Sequence, residues 1–304
     1  MLGAHVSSQG GVASAPARGA ALRATAIQLF TKTPNQWREP TLAAAEIARF
    51  RSEVTRHGLE CVVAHDSYLI NLASPDDALR ARSIQSFRSE LLRCRELGIR
   101  AIVSHPGNYI DDRSAGLERN ARAYAECLAA VPCDVEVWIE GTAGSGTALG
   151  ATFEELQALR EALPAAARAR VSFCLDTAHL HAMGYELARI EAVWDEFDRV
   201  IGLQHLKCLH LNDSRAAAGS RVDRHEWIAE GRIGAEPFRR IMRDPQLAAV
   251  VKIIETPKRD DPLRHDRRML RRLRAYARAN ARLARAGSVS SGTSCLDRRA
   301  NPAA

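Results

Sequence analysis

The chain has 304 residues, of which 46% are apolar, ample for a buried core, so a folded globular protein of one large or two ordinary domains is expected. No stretch approaches the roughly 20 apolar residues of a bilayer span, and Met1-Leu2-Gly3-Ala4-His5 offers neither a basic nor an apolar signal region, so a membrane or secreted protein is not expected and the cytoplasm is. The net charge of +7 is concentrated: between Lys258 and Arg285 eleven Lys/Arg face three Asp, a basic terminal helix best read as a solvated face, with a phosphate-binding face as the alternative.

In chain order, short β-type runs alternate with longer helical patterns. Leu2–Val6 reads as a strand, Ala13–Ala24 as a helix of small residues and Ala24–Phe30 as the second strand. A loop with Thr33-Pro34-Asn35-Gln36-Trp37 precedes a helix over Thr41–Gly58. Glu60–Ala64 is the third strand, ending at His65, and Ile99–Ser104 the fourth, ending at His105, with a helix over Pro75–Leu97 between them. After a helix over Ala115–Val131, Val135–Ile139 ends at Glu140; after Glu154–Leu163, Val171–Leu175 ends at Asp176. Glu186–Phe197 leads to the Cys208–Asn212 strand, which carries His210, and Ala249–Ile254 ends at Glu255 before the basic helix.

Eight strands alternating with helices predict a single-domain α/β protein, a parallel (β/α)8 TIM barrel over residues 1–285. A doubly wound sheet would alternate likewise, but no GxGxxG follows a strand. Residues 286–304 carry too little apolar content to fold and are expected to be a disordered tail. The seven cysteines form an odd set without CxxC spacing, and Cys61, Cys174 and Cys208 sit in apolar runs, as reduced core residues do.

The placement of polar residues points to chemistry. His65, His105, Glu140, Asp176, His210 and Glu255 each stand at the C-terminal end of a different strand, and in a barrel those ends share one rim, where active sites are built. Asp223-Arg224-His225 follows the His210 strand closely, and an extended D-x-H can turn both side chains to one side. Imidazole nitrogens with carboxylate oxygens suit Zn²⁺ and Mn²⁺.

These residues lie in longer runs that carry a resemblance. Gly3-Ala4-His5-Val6-Ser7, Phe30-Thr31-Lys32, the run from His65 to Leu72 (HDSYLINL), His105-Pro106-Gly107, Thr142-Ala143-Gly144, Asp176-Thr177 with His179, the run from His210 to Ser214 (HLNDS), the run from Gly219 to His225 (GSRVDRH) and Glu255-Thr256 occur in the order seen in the endonuclease IV family of apurinic/apyrimidinic (AP) endonucleases, which the chain resembles over nearly its whole folded length. The resemblance implies three zinc ions, with manganese possible at one or more sites. One would lie on His65, His105 and Glu140, a second on Glu140, Asp176, His210 and Glu255, and a third on His179, Asp223 and His225. Four carboxylates with three divalent ions make a site that attracts phosphate. Glu140 and Glu255 would be the catalytic carboxylates, orienting water, with a general-base share for Glu255.

The expected substrate is double-stranded DNA containing an abasic site, cut on its 5′ side by a monomer. Tyr68 and Leu69 map onto the loop that enters the duplex, and Asn35, Trp37, His5, Ser7 and Arg224, with Lys32 and Arg38, would contact the DNA. His181 is expected to pack or support ligands, and His57, His205 and His265 carry no role. The chain departs from the family pattern at Asn35, where an Arg is usual, and at Gly141, Ser145 and Ala178. Affinity for DNA is the property these departures touch. The competing reading is a metal-dependent sugar isomerase or epimerase of the xylose-isomerase-like barrels, which would leave His179, Asp223 and His225 without a task.

Overall fold

The computed structural model describes the backbone of residues 1–289 and the side chains of residues 1–278. Ten strands occur in it: β1 (Leu2–His5), β2 (Ala26–Phe30), β3 (Cys61–His65), β4 (Ala101–Ser104), β5 (Glu136–Glu140), β6 (Val171–Asp176), β7 (Leu206–His210), β8 (Asp213–Ser214), β9 (His225–Glu226) and β10 (Val251–Ile254). Eight of them close a parallel barrel in the order β1-β10-β7-β6-β5-β4-β3-β2, while β8 and β9 form a separate antiparallel pair. All eight expected barrel strands are present, shifted by a few residues at their ends.

Helices sheathe the barrel, so both faces of each strand are buried and the strands read as nearly unbroken apolar runs. The strand period of two divides each run. Ala26, Cys61, Val63, Ala101, Val103, Trp138, Cys174, Cys208, Val251 and Ile253 fill the interior. Their neighbours, such as Ile27, Val62, Ile102, Val137, Phe173 and Leu209, pack outward against the helices. Gly3 is the inward residue of β1, where a Cβ would collide with the Ala26 carbonyl oxygen, so only glycine lets β1 and β2 close there.

The helix over Asp77–Leu97 is capped at both ends: the Asp76 carboxylate accepts from the N–H groups of Ala78 and Leu79, and Gly98 closes it at φ 74°. Several elements were not anticipated from the sequence, among them a short helix over Ala165–Arg168. A helix over Thr177–Met183 starts directly after β6, the β8–β9 pair pins the loop holding Asp223, and a helix over Ala235–Arg243 precedes β10. In the last, Pro237 reads as a breaker in the sequence, yet it sits in the first turn, where its missing N–H costs nothing.

The terminal helix spans Pro262–Val289, passing Arg285, where the folded part was expected to end. The rest of the expected tail, from 290 on, lies outside the described residues. The six described cysteines are free thiols, five of them buried, and Cys295 lies outside the described residues. No helix among the described residues is long and apolar enough to cross a membrane.

Candidate metal centre

One period-two step beyond the last apolar interior residue, the barrel lining turns polar. Val63 is followed by His65, Val103 by His105, Trp138 by Glu140, Cys174 by Asp176, Cys208 by His210 and Ile253 by Glu255. The strand pleat thus aims all six into the C-terminal mouth. Asp176 also caps the helix over Thr177–Met183, its Oδ1 accepting from the N–H groups of Ala178 and His179. That short helix swings His179 over the same mouth. The β8–β9 pair places His225 at its edge, and Asp223 reaches in from the loop between those strands.

Glu140 lies at the centre, buried. Its Oε2 is 3.2 Å from His65 Nε2 and 3.4 Å from His105 Nε2, while its Oε1 is 3.1 Å from His210 Nδ1 and 3.4 Å from His179 Nδ1. Each oxygen therefore serves a different group of imidazoles. Glu255 Oε2 is 3.2 Å from His210 Nδ1, and Asp223 reaches His179 Nε2 at 3.4 Å and His225 Nε2 at 3.1 Å. Three sets bring one ligand atom per residue within 4.8 Å of one another: His65, His105 and Glu140; Glu140, Asp176, His210 and Glu255; and Asp176, His179 and His225. Asp176 thus joins the third set as well as the second, its Oδ2 lying 3.5 Å from His225 Nε2. A fourth set, Cys174, Cys208 and His210, lies deeper in the barrel.

The donor set fits divalent ions. His65 Nδ1 is tied to the Asp66 carbonyl at 2.9 Å and His179 Nδ1 to the Gly141 carbonyl at 2.8 Å, which fixes each ring with Nε2 toward the cluster. His225 Nε2 is buried and faces the carboxylates of Asp223 and Asp176 without a well-directed hydrogen bond among the described residues, so its deprotonated lone pair is free to take a cation.

Charge is stored in the cluster. Burial disfavours the imidazolium at His65, but the hydrogen bond and charge of Glu140 outweigh it and hold the ring up at about 9. Burial is likewise overcome at His179, held at about 10 chiefly by Asp176, and at His225, held at about 9 by Asp176 and Asp223. At His105 burial prevails and lowers the ring to about 4. Glu140 and Glu255 resist the upward pull of burial because His210 and its neighbours keep them ionised.

A cleft of about 560 Å³ opens above the cluster, lined by His5, Phe30, Tyr68, Pro257 and Lys258 besides the ligand candidates. Tyr68 is 69% exposed and rests edge-on against Phe30, whereas Leu69 beside it is half-buried. Asn35, Arg38, Ser7 and Arg224 are exposed, Arg224 between the ligand candidates Asp223 and His225. His5 faces inward, its Nδ1 3.2 Å from Glu255 Oε1. Trp37 is half-buried with the Arg82 guanidinium 4.6 Å over its ring. Lys32 does not reach the cleft: it is buried, and its Nζ donates to Glu39 at 2.6 Å and Ser86 at 2.8 Å, so the expected DNA contact is a core ion pair.

His181 is buried beside the Ala216 carbonyl, His57 pairs with Glu53, His265 meets Asp260, and His205 is only half-buried. Ser145 donates to the Arg221 carbonyl at 2.5 Å, tying its loop to the one that holds Asp223.

Two supporting residues escaped the sequence reading. Gln28, fully buried, donates to Glu255 Oε1 at 2.6 Å, while its Oε1 lies 2.9 Å from His210 Nε2. Asn212 donates to Asp176 Oδ2 at 2.6 Å and accepts from the Glu255 N–H at 2.9 Å. The signal for Gln28 was present: it stands one period-two step beyond the interior residue Ala26, as the ligand candidates do on their strands.

Known proteins resemble this chain over most of its length. The profile of the family described as Xylose isomerase-like TIM barrel matches residues 17–273. A protein of Geobacter sulfurreducens named "Probable endonuclease 4" is 46% identical over 267 residues, covering 86% of this chain and 89% of that protein. The crystal structure of endonuclease IV from Thermus thermophilus superposes with a TM-score of 0.80 at 36% identity, covering 90% of this chain and 98% of that one. D-psicose 3-epimerase superposes at 0.63 with 17% identity over 93% of this chain and 98% of its own, a likeness of fold alone.

Proposed function

The chain belongs to the endonuclease IV family, a hydrolytic endonuclease on the xylose isomerase-like TIM barrel, and on that premise we propose that it is a zinc-dependent AP endonuclease of base excision repair. It hydrolyses the DNA phosphodiester 5′ to an abasic site and leaves a 3′-hydroxyl and a 5′-deoxyribose phosphate. The observation that carries this reading is the two-sided contact of Glu140, one oxygen facing His65 and His105 and the other His210.

His65, His105 and Glu140 would hold one ion, Glu140, Asp176, His210 and Glu255 a second, and His179, Asp223 and His225 a third, with Asp176 placed to share in the last. Bound zinc supplies a nucleophilic water near neutral pH, neutralises the nonbridging phosphate oxygens and stabilises the leaving alkoxide. Glu140 is locked by imidazoles on both oxygens, which fixes the spacing of the two groups it joins. Glu255, anchored by Gln28 and His5 on one oxygen, keeps the other toward the cluster and ionised at neutral pH, where it would orient the attacking water. Tyr68, exposed at the mouth, would act as an aromatic wedge, with the half-buried Leu69 next to it in sequence. An abasic nucleotide has lost its stacking and enters the cleft at low cost.

The isomerase alternative gives Asp223 and His225 no work, although both contact His179 or Asp176. One gel separates the readings. Purified protein is incubated with an end-labelled duplex holding one abasic site, with and without prolonged chelation, and with zinc restored. A cut at the lesion that primes polymerase extension, disappears on chelation and returns with zinc is expected. An intact substrate after incubation with zinc-loaded protein would overturn the proposal.

A further inference from the structure

The terminal helix carries a second electropositive feature outside the metal rim. Arg264, Arg267, Arg271, Arg274 and Arg278 follow one another at alternating intervals of three and four residues. At 100° per residue they fall within an arc of about 80°, and the stripe climbs about 21 Å along the axis. The rest of this helix is anchored: Met269, Leu270 and Leu273 are buried in the core, and Arg268 and Arg272 pair with Glu230. The Trp227 ring lies against the guanidinium groups of Arg259 and Arg268, at 3.7 and 4.4 Å.

Charge balance separates the two faces. Lys258, Arg259, Arg268 and Arg272 all have carboxylate partners. No carboxylate lies within 4.0 Å of the guanidinium groups of Arg264, Arg267, Arg271, Arg274 or Arg278, or of Arg23 opposite them, among the described residues. Arg267 and Arg274 are instead held by carbonyl oxygens of Ala21, Leu22 and Arg23 at the end of the helix over Ala15–Ala21. Arg274 is lowered by burial and by the like charges of Arg23 and Arg278, a crowding that an anion would relieve.

The stripe is also continuous with the candidate active site. A cavity of about 660 Å³ lined by Arg23, Arg264, Arg267, Arg271 and Arg274 shares Ala21, Leu22, Asp261 and Leu263 with a second cavity of about 610 Å³. That one shares His5 and Lys258 with the metal cleft. The carboxylates along this path are engaged: Asp266 by Lys258, Asp260 by His265, and Asp261 by the N–H of Arg264.

From these observations we propose that the Arg264–Arg278 stripe, with Arg23, is a second, sequence-independent binding site for the phosphate backbone of duplex DNA, holding DNA against the flank of the barrel outside the catalytic cleft. Arginine forks suit phosphate oxygens, and a stripe of this length spans several successive phosphates of one strand. The proposal rests on the DNA-acting reading only for its choice of polymer.

The test uses the full chain and undamaged duplex, so binding is read independently of whether abasic DNA is incised. Fluorescence anisotropy over a salt series compares wild type with Arg264→Gln/Arg271→Gln/Arg278→Gln, three exposed sites where glutamine sustains a helix. A control, Arg122→Gln/Arg189→Gln/Arg199→Gln, removes the same charge from exposed sites elsewhere. Each lost phosphate contact lowers the slope of log K against log salt by about 0.9, so the stripe variant is expected to lose up to about 2.7. The control should retain the wild-type slope, and a triple Arg→Lys variant should recover most of the loss. An unchanged slope, or an equal loss in the control, would overturn the proposal. So would a stripe variant that binds DNA normally but no longer binds phosphatidylserine vesicles, which would make the partner a membrane surface.

Discussion

Gln28 illustrates how a single residue governs a site it was not expected to join. Its amide donates to Glu255 and accepts from His210, so it sets the orientation of two ligand candidates and the tautomer of one. Gln28→Ala is expected to weaken zinc binding by about 10- to 100-fold while the protein still folds, measured by competition with a chromophoric chelator. Unchanged affinity would reduce Gln28 to a packing residue. Tyr68 is the opposite case, since an exposed side chain contributes little to the fold. Tyr68→Ala should change stability by less than about 0.5 kcal/mol yet shrink the preference for abasic over intact duplex in a binding titration. The imidazoles add a pH dependence. His65, His179 and His225 are held at about 9 to 10, so at pH 7 each carries a proton that a metal must displace. Zinc loading should therefore release protons, strengthen as pH rises towards 9 and weaken as it falls. Calorimetry in buffers of different ionisation enthalpy reads this directly, and loading without proton release would contradict it.

Among the elements, the segment after β2 depends on buried charges. Arg93 donates to Glu39 at 2.7 Å and to Thr31 at 3.1 Å, and Lys32 shares Glu39 and lies 4.0 Å from Glu90. Burial raises the Glu39 carboxyl, but its bonds to Lys32, Ser86 and Arg93 hold it below the usual range. A depressed acid stabilises the fold above its unfolded pKa near 4.5, and that contribution disappears as pH falls through the lower folded value. Arg93→Met leaves Glu39 and Thr31 short of a partner and should cost about 3 kcal/mol at pH 7 in urea unfolding. The cost should narrow at acid pH, where Glu39 protonates in both proteins. A loss that is constant with pH would mean that packing of the arginine stem, not its charge, matters.

At the scale of the whole molecule, the barrel gathers four carboxylates on one rim and leaves an arginine stripe on its flank, so a modest net charge hides strong local fields. Ions bound only by the folded rim stabilise the fold by mass action. Prolonged chelation should lower the thermal midpoint and added zinc restore it, read by scanning calorimetry. A midpoint indifferent to chelation in protein that had carried metal would exclude the rim as its binding place. The same asymmetry explains why the terminal helix reads from composition as a solvated face: its sequence states how many arginines it carries, but only packing reveals which have carboxylate partners.

Much of this was legible along the chain. The alternation of apolar runs with helical patterns dictates the barrel, because strands buried on both faces must be apolar throughout. The polar residue ending each run then marks the rim, because the pleat aims the next inward position into the C-terminal mouth of the barrel. The runs around His65, His210 and Asp223 carry the family. What the chain order cannot express is distance across the barrel. The sharing of Glu140 between imidazoles of β3, β7 and the loop after β4, the joining of Asp176 to His225, and the burial of Lys32 against Ser86 all arise between residues far apart in sequence. Gln28 and Asn212 look like ordinary strand and loop polars until closure of the barrel sets them against Glu255 and Asp176. A one-dimensional pattern fixes which way a side chain points, and only the closed sheet fixes what it meets.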